Sequence, residues 1–213
     1  MKNKITTEDV VRILEKMATD LQAAQEILRE LDAAMGDGDL GVTMKLGFDG
    51  VRKVLPELRQ QDIGTLVTRA GLTFNGAAAS TMGALLASAC MRAGREVKGK
   101  TEIGLSDFVR MAQAGVAAIR ERGKADVGDK TMLDTLVPWV EALAQAKTEG
   151  KSLSEALSSA LGVAEQGMLS TKSMMPKMGR AAWLGERTKD VQDPGATSSY
   201  LMIKSLSEYL TSN

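Results

Sequence analysis

A chain of 213 residues, 44% of them hydrophobic and 25% charged, is long enough to bury a sizeable core and reads as one globular domain spanning residues 1–213. Lys+Arg and Asp+Glu balance at 27 each, which leaves no global field to draw in nucleic acid or an anionic membrane. Histidine is absent and cysteine occurs once, at Cys90, which excludes Ser-His-Asp and Cys-His catalysis, His-ligated zinc, a phosphohistidine relay on this chain and any intrachain disulfide. The remaining chemistry must rest on carboxylates, hydroxyls, Lys/Arg and backbone N–H groups. The opening MKNKITTEDVV has no signal-peptide core, and no run reaches the roughly 18 apolar residues of a membrane span, so the expected compartment is the cytoplasm.

Nearly every stretch predicts helix. Thr6-Thr7-Glu8-Asp9 supplies a cap and an acidic first turn for a helix from about Thr7 to Leu31, with Val10, Leu14, Met17, Leu21, Ala24, Leu28 and Leu31 at three- and four-residue steps. Asp32 falls at the C-terminal end of that helix, where the dipole disfavours an anion, and such local conflicts tend to mark functional sites.

The segment Leu31 to Thr43, LDAAMGDGDLGVT, places Asp32, Asp37 and Asp39 within eight positions and interleaves Gly36, Gly38 and Gly41. Carboxylates about 4 Å apart repel by roughly 4 kcal/mol at an effective dielectric near 20. Three that converge need a bound cation or protons held at raised pKa values. An all-oxygen cluster of few carboxylates suits Mg²⁺, which keeps waters and shares substrate phosphates, and glycines let backbone approach a ligand closely. The other reading is a polar Asp/Gly turn whose acids cap helices. The segment alone leaves both open.

A second helix is expected from Val42 to Leu55, closed by Pro56, and a third from Ile63 to about Phe74, capped by Asp62. The small-residue stretch Asn75 to Gly83 leads into an apolar helix ending near Gly94, with the Ser80 and Thr81 hydroxyls in reach of any ligand there. Ser106 is placed to cap Asp107 to Arg122, with Leu105 as a hydrophobic staple. The loop Gly123 to Thr131 enters a helix from Met132 to Lys147, kinked at Pro138, and Ser152 or Ser154 opens another to about Thr171. Lys130 in that loop could reach a phosphate, but a solvated loop lysine is the plainer expectation. After a basic turn from Lys172 to Arg180, Asp193 as N-cap and Pro194 at the first helical position open the last helix, which runs through Leu210. The sum is an all-α chain of about eight antiparallel helices with no strand pair. In an up-and-down bundle alternate connections emerge at one end, so Asp32–Thr43, Asn75–Gly83, Gly123–Thr131 and Gly179–Gly195 should cluster there. Acids, a hydroxyl-rich turn, Gly/Lys/Thr and a capped helix N-terminus suit a Mg²⁺-nucleotide site, and the lack of a GxxxxGK[ST] run excludes a P-loop.

Three motifs, LDxxxGDxDxG at Leu31 to Gly41, RGKAxxGDKTMxD at Arg122 to Asp134 and GRAxxLGERxxxxQDPGATS at Gly179 to Ser198, resemble the nucleotide-binding L subunit, DhaL, of dihydroxyacetone kinase over essentially the whole chain. The resemblance implies a barrel of eight antiparallel helices with the ligand site at one end. It implies two Mg²⁺ held by Asp32, Asp37 and Asp39 against the phosphates of ADP or ATP. Further nucleotide contacts would fall on Leu40, Gly41, Val42 and Thr43, on Thr81 and Met82, on Gly123, Met132 and Arg180, and on Asp193, Pro194 and Gly195, with Arg180 offsetting charge on the leaving diphosphate. It also implies partners: a K subunit that binds the ketose covalently through a histidine and, in phosphotransferase-dependent versions, a phosphohistidine protein that recharges the nucleotide. A chain without histidine cannot supply the K function, which favours a dissociated subunit of that type. Two departures stand out. The family often has His-Gly-x-Asn where this chain has Leu40-Gly41-Val42-Thr43, and Gly-Gly-Ala-Ser-Gly where it has Ala79-Ser80-Thr81-Met82-Gly83. They keep two rivals in view, an ADP sensor without turnover and, further off, an apolar-ligand carrier using the barrel interior.

Overall fold

The first four N–H groups of a helix lack intrahelical partners, and the side chains that satisfy them set where each helix begins. A computed structural model describes residues 3–179 and 181–212. Thr6 accepts from the Asp9 N–H in a capping box that opens α1 (Thr7–Ala23), which is followed by α2 (Gln25–Met35) and α3 (Leu40–Leu58). Asp62 caps α4 (Ile63–Ala77) through the Thr65 N–H, and Ser80 caps α5 (Thr81–Arg95) through the Gly83 N–H. Then come α6 (Leu105–Gly123) and α7 (Leu133–Thr148). A capping box between Ser152 and Glu155 opens α8 (Leu153–Ser170). After the one-turn α9 (Ala181–Leu184), Asp193 caps α10 (Pro194–Thr211) with Pro194 at its start.

Among the described residues eight long helical paths form a ring, with α1 and α2 counted as one. Each packs on its chain neighbour and α1 closes the ring against α10. The all-α antiparallel barrel expected from the sequence is therefore the observed fold, with the extra short helix lying in the connection before α10. No helix among the described residues is long and apolar enough to cross a membrane.

Four local expectations need correction. The first helix is broken at Ala24 and resumes to Met35. The break lets α2 lie so close to α3 that a Cβ on Gly41 would fall 2.1 Å from the Gln25 carbonyl oxygen. Pro56 does not end α3: the helix runs on to Leu58, and burial of Leu55 and Leu58 offsets the hydrogen bond that proline forfeits. Ser106 is not a cap, because a strand runs straight into α6 and Gly104 takes the N-cap position without a side-chain bond. That strand, β2 (Glu102–Gly104), pairs antiparallel with β1 (Lys4–Thr6), setting buried Ile5 opposite buried Ile103. Three residues per strand are too few to show an alternating pattern.

Small residues let the helices approach. Ideal Cβ atoms on Gly64 and Gly94 would fall 2.4 and 2.5 Å from each other's carbonyl oxygens across the α4–α5 contact, whereas Gly162 on the outside of α8 has nothing within 4 Å. Gly64→Ala should therefore lower unfolding stability by about 2 kcal/mol through forced separation of the two backbones, while Gly162→Ala should raise it by about 0.5–1 kcal/mol. Urea unfolding of the two variants checks both signs.

Candidate functional site

The four connections at one end of the ring enclose a cleft of about 870 Å³, and residues from all four line it. The first residues of α3, α5, α7 and α10 (Leu40, Thr81, Leu133 and Pro194) are among them. Helix N-termini carry partial positive charge and unsatisfied N–H groups, so four at one cleft favour an anion there.

The acidic turn lines the same cleft and leads directly into α3. Asp32 stands in the last turn of α2, and Asp37 and Asp39 flank Gly38, whose φ of +75° puts it in the left-handed region. One carboxylate oxygen from each aspartate lies within 4.8 Å of the others. The capping alternative explains little of this. Asp32 Oδ2 does accept from the Leu40 N–H at 3.1 Å, but Asp39, which occupies the N-cap position of α3, makes no side-chain capping bond. Three acids at the negative end of one helix, half-buried or exposed, form a donor set that fits a hard divalent cation such as Mg²⁺.

Lys130 and Asp193 also line the cleft, and Asp134 supports the loop that carries Lys130. Asp134, buried at the start of α7, accepts from the Gly128 N–H at 2.6 Å and the Thr131 N–H at 2.7 Å, which fixes the loop before it. That loop holds Lys130 in the left-handed region, at φ 59°. Lys130 is not the solvated side chain expected. It is 2% exposed, and its Nζ donates to the Thr188 carbonyl at 2.8 Å and the Met174 carbonyl at 3.1 Å. Burial lowers its pKa, and Asp193 and Asp190 oppose that. Asp193 Oδ2 accepts from the Ala196 N–H at 2.7 Å. Burial pushes Asp193 up to about 7, the nearby Asp134 charge adds to this, and the Ala196 N–H and Lys130 work against it.

Of the residues expected at a nucleotide, Leu40, Thr43, Thr81, Met82, Gly123, Met132, Asp193, Pro194 and Gly195 all line the cleft. Gly41 and Val42 do not. Gly41 is pressed against α2, and Val42 is 42% exposed on the outer face of α3. Arg180 lies outside the described residues. The Ser80 hydroxyl is spent on capping α5 and accepts from the Gly83 N–H at 3.0 Å. Sequence reasoning missed an apolar wall made by Met35, Leu85 and Ile119. The signal was available: Leu85 lies one turn beyond Thr81, and Ile119 one turn before Gly123.

The family profile described as the DAK2 domain matches residues 34–208. The chain belongs to the DAK2-domain family. It is 36% identical over 93% of its length to the PEP-dependent dihydroxyacetone kinase 2 ADP-binding subunit DhaL of Listeria innocua, 92% of which is covered. To the corresponding PEP-dependent subunit DhaL of Escherichia coli it is 34% identical over 95% of its length, covering 96% of that protein. The crystal structure of the dihydroxyacetone kinase from C. freundii in complex with AMP-PNP and Mg²⁺ superposes with a TM-score of 0.69 at 25% identity. That match takes in 93% of this chain and 33% of the larger one, so this chain corresponds to about a third of that kinase. Fold and relatives thus place this DAK2 protein among kinase subunits of the DhaL type.

Asp193 generates a pH prediction. The folded carboxyl keeps its proton to about pH 7, whereas an unfolded aspartate releases it near 4. Between those values the folded state binds more protons, so raising the pH costs stability, by at most ~1.4 kcal/mol per unit. The nucleotide-free protein should melt lower at pH 8 than at pH 5 in thermal scans. Asp193→Asn, which keeps an acceptor for the Ala196 N–H, should flatten that dependence.

Proposed function

We propose that this chain is the Mg-nucleotide subunit of a cytoplasmic kinase for dihydroxyacetone or a similar small ketose. It would hold ADP or ATP in the cleft and donate a phosphoryl group to a ketose carried by a separate K subunit. A phosphohistidine protein of a phosphotransferase system would recharge the nucleotide. The observation that carries the reading is the convergence of three aspartate oxygens within 4.8 Å, in a cleft also lined by four helix N-termini, in a chain of the DAK2 family. The names and the AMP-PNP and Mg²⁺ complex of the relatives support it.

Phosphoryl transfer asks a protein chiefly for positioning and for stabilisation of charge. In this reading Asp32, Asp37 and Asp39 hold two Mg²⁺. Such ions would supply the positive charge that neutralises a polyphosphate. The N-termini of α5 and α10 aim N–H groups at the same anion, and Thr43 and Thr81 add hydroxyls from the cleft wall. Met35, Leu85, Ile119 and Met132 give an apolar surface suited to a purine base. Arg180 offsets charge on the leaving diphosphate. Asp193, as the cap of α10, holds that helix N-terminus in place. The chain has no histidine, so the acceptor ketose is anchored on the partner.

Native mass spectrometry of the purified protein should show retained ADP with two magnesium ions. Asp37→Ala should abolish that retention, a loss exceeding the ~10–100-fold that removal of an outer-shell partner costs, with helical content by circular dichroism unchanged. Full retention in Asp37→Ala would overturn the metal assignment. Mixed with a K subunit, dihydroxyacetone and a phosphoryl source, the protein should yield ketose phosphate. Retained nucleotide without product would favour an ADP sensor, consistent with Leu40 and Met82 facing the cleft, and co-purified lipid without ADP would favour a carrier.

A further inference from the structure

The connection between α8 and α10 forms one side of the cleft, where Met178, Gly179 and Ala181 line it. Its two ends are drawn together at the base. The Asp193 N–H donates to Thr171 Oγ1 at 3.0 Å, and the Asp190 N–H donates to the Lys172 carbonyl at 3.2 Å. What holds the loop down is not apolar packing. Among its described residues, those buried between 171 and 193 are Thr171, Pro176, Thr188 and Asp193, and Trp183 is 91% exposed. A loop without large buried side chains stays ordered only through polar ties.

The central tie comes from outside the loop. The Lys130 ammonium reaches between the two limbs and donates to Met174 on the outgoing limb and to Thr188 on the returning one. An ammonium buried among carbonyls makes strong charge-assisted bonds, and leaving those carbonyls bare would be costly. Lys130 itself sits in left-handed backbone, a conformation a non-glycine residue keeps only with support, which Asp134 supplies from both sides of it. The charged groups facing it are Asp193 and Asp190. A weaker tie runs along the rim, where Lys177 donates its N–H to the Asp129 carbonyl at 3.2 Å and its Nζ to Asp129 Oδ1 at 3.1 Å.

We propose that Lys130 is a positioning residue: its ammonium staples both limbs of the 171–193 loop against the cleft and thereby sets how slowly a bound nucleotide leaves. This rests on the reading of the cleft as a nucleotide site. Lys130 acts through the loop and not on the phosphates, so its removal changes the loop even in nucleotide-free protein.

Lys130→Met removes the charge and the donors at similar length. In hydrogen–deuterium exchange of the nucleotide-free protein, it should speed amide exchange of residues 174–189 tenfold or more and leave α7 as in the parent. Dissociation of a fluorescent ADP analogue with Mg²⁺, chased by unlabelled ADP, should also accelerate tenfold or more with little change in association rate. Lys130→Arg, which keeps charge and donors, should recover most of both effects, and Lys189→Met, on the exposed part of the same loop, should change neither by more than twofold. Weaker binding with normal loop exchange would overturn the proposal in favour of a direct phosphate contact. A lowered melting temperature with an unchanged dissociation rate would overturn it in favour of a purely structural lysine. If Lys130→Met does not fold, acetic anhydride footprinting of the parent decides: Lys130 should label far more slowly than Lys177 and more slowly still with MgADP, and labelling at the Lys177 rate would overturn the staple. A parent protein that retains no ADP would sink the nucleotide reading alone, since loop exchange in Lys130→Met still reports the staple.

Discussion

The structure depends on one electrostatic opposition. Three aspartates stand at the C-terminal end of α2, where the helix dipole already disfavours negative charge, and the same cleft receives the N-terminus of α3, which they directly precede, and those of α5, α7 and α10. Neither side is comfortable alone: the acids repel one another, and the N–H groups of the first turns lack full partners. A divalent cation between the acids and an anion against the helix ends would satisfy both at once. The chain as a whole carries balanced charge, so whatever recognition occurs here is local and not a matter of long-range attraction.

The ring makes that opposition possible. Antiparallel helices joined by short connections send alternate loops to the same end, and the close contacts of Gly64 with Gly94, and of Gly41 with α2, keep the ring tight enough for four loops to share one cleft. The break at Ala24 belongs to the same geometry. It redirects the chain so that α2 presses on α3, and so carries Asp32 to the Leu40 N–H. Edge-to-face contacts of Phe48 with Phe74 and of Phe108 with Trp139 fill the places where larger side chains meet, and they account for most of the few aromatic residues present.

Much of this was legible before any coordinates. Caps at Thr6, Asp62, Ser152 and Asp193 announce helix starts because the residue types that satisfy N–H groups are few, and Asp32, Asp37 and Asp39, with no basic residue interleaved, announce the acidic cluster that the fold brings together. What escaped the sequence depends on contacts between distant segments. The β1–β2 pair joins residues about 100 positions apart over three residues each. Pro56 is tolerated inside α3 only because the core holds the turn beyond it. Lys130 is the clearest case. Lysine in a Gly/Asp loop reads as solvated, and nothing local reports that carbonyls from positions 174 and 188 will close over its ammonium. The departures at Leu40 and Met82 were visible as residue types, whereas the outward turn of Val42 follows from α3 starting at Leu40, two residues earlier than expected.

Burial of Asp193 and Lys130 together bears on how this wall of the cleft meets a polyphosphate. An ionised aspartate beside phosphates would repel them, but burial holds Asp193 near the midpoint of its titration at neutral pH, and a capping carboxyl that keeps its proton still offers an oxygen to the Ala196 N–H. Lys130 would be the obvious cation to set against a phosphate, yet its donors are already turned to backbone carbonyls of the covering loop. Both groups therefore spend their charge on shaping the wall and not on the ligand. The attraction is left to helix N-termini and to any cation that the three aspartates would hold. N–H groups at the first turns are fixed by the backbone and need no reorganisation when an anion arrives.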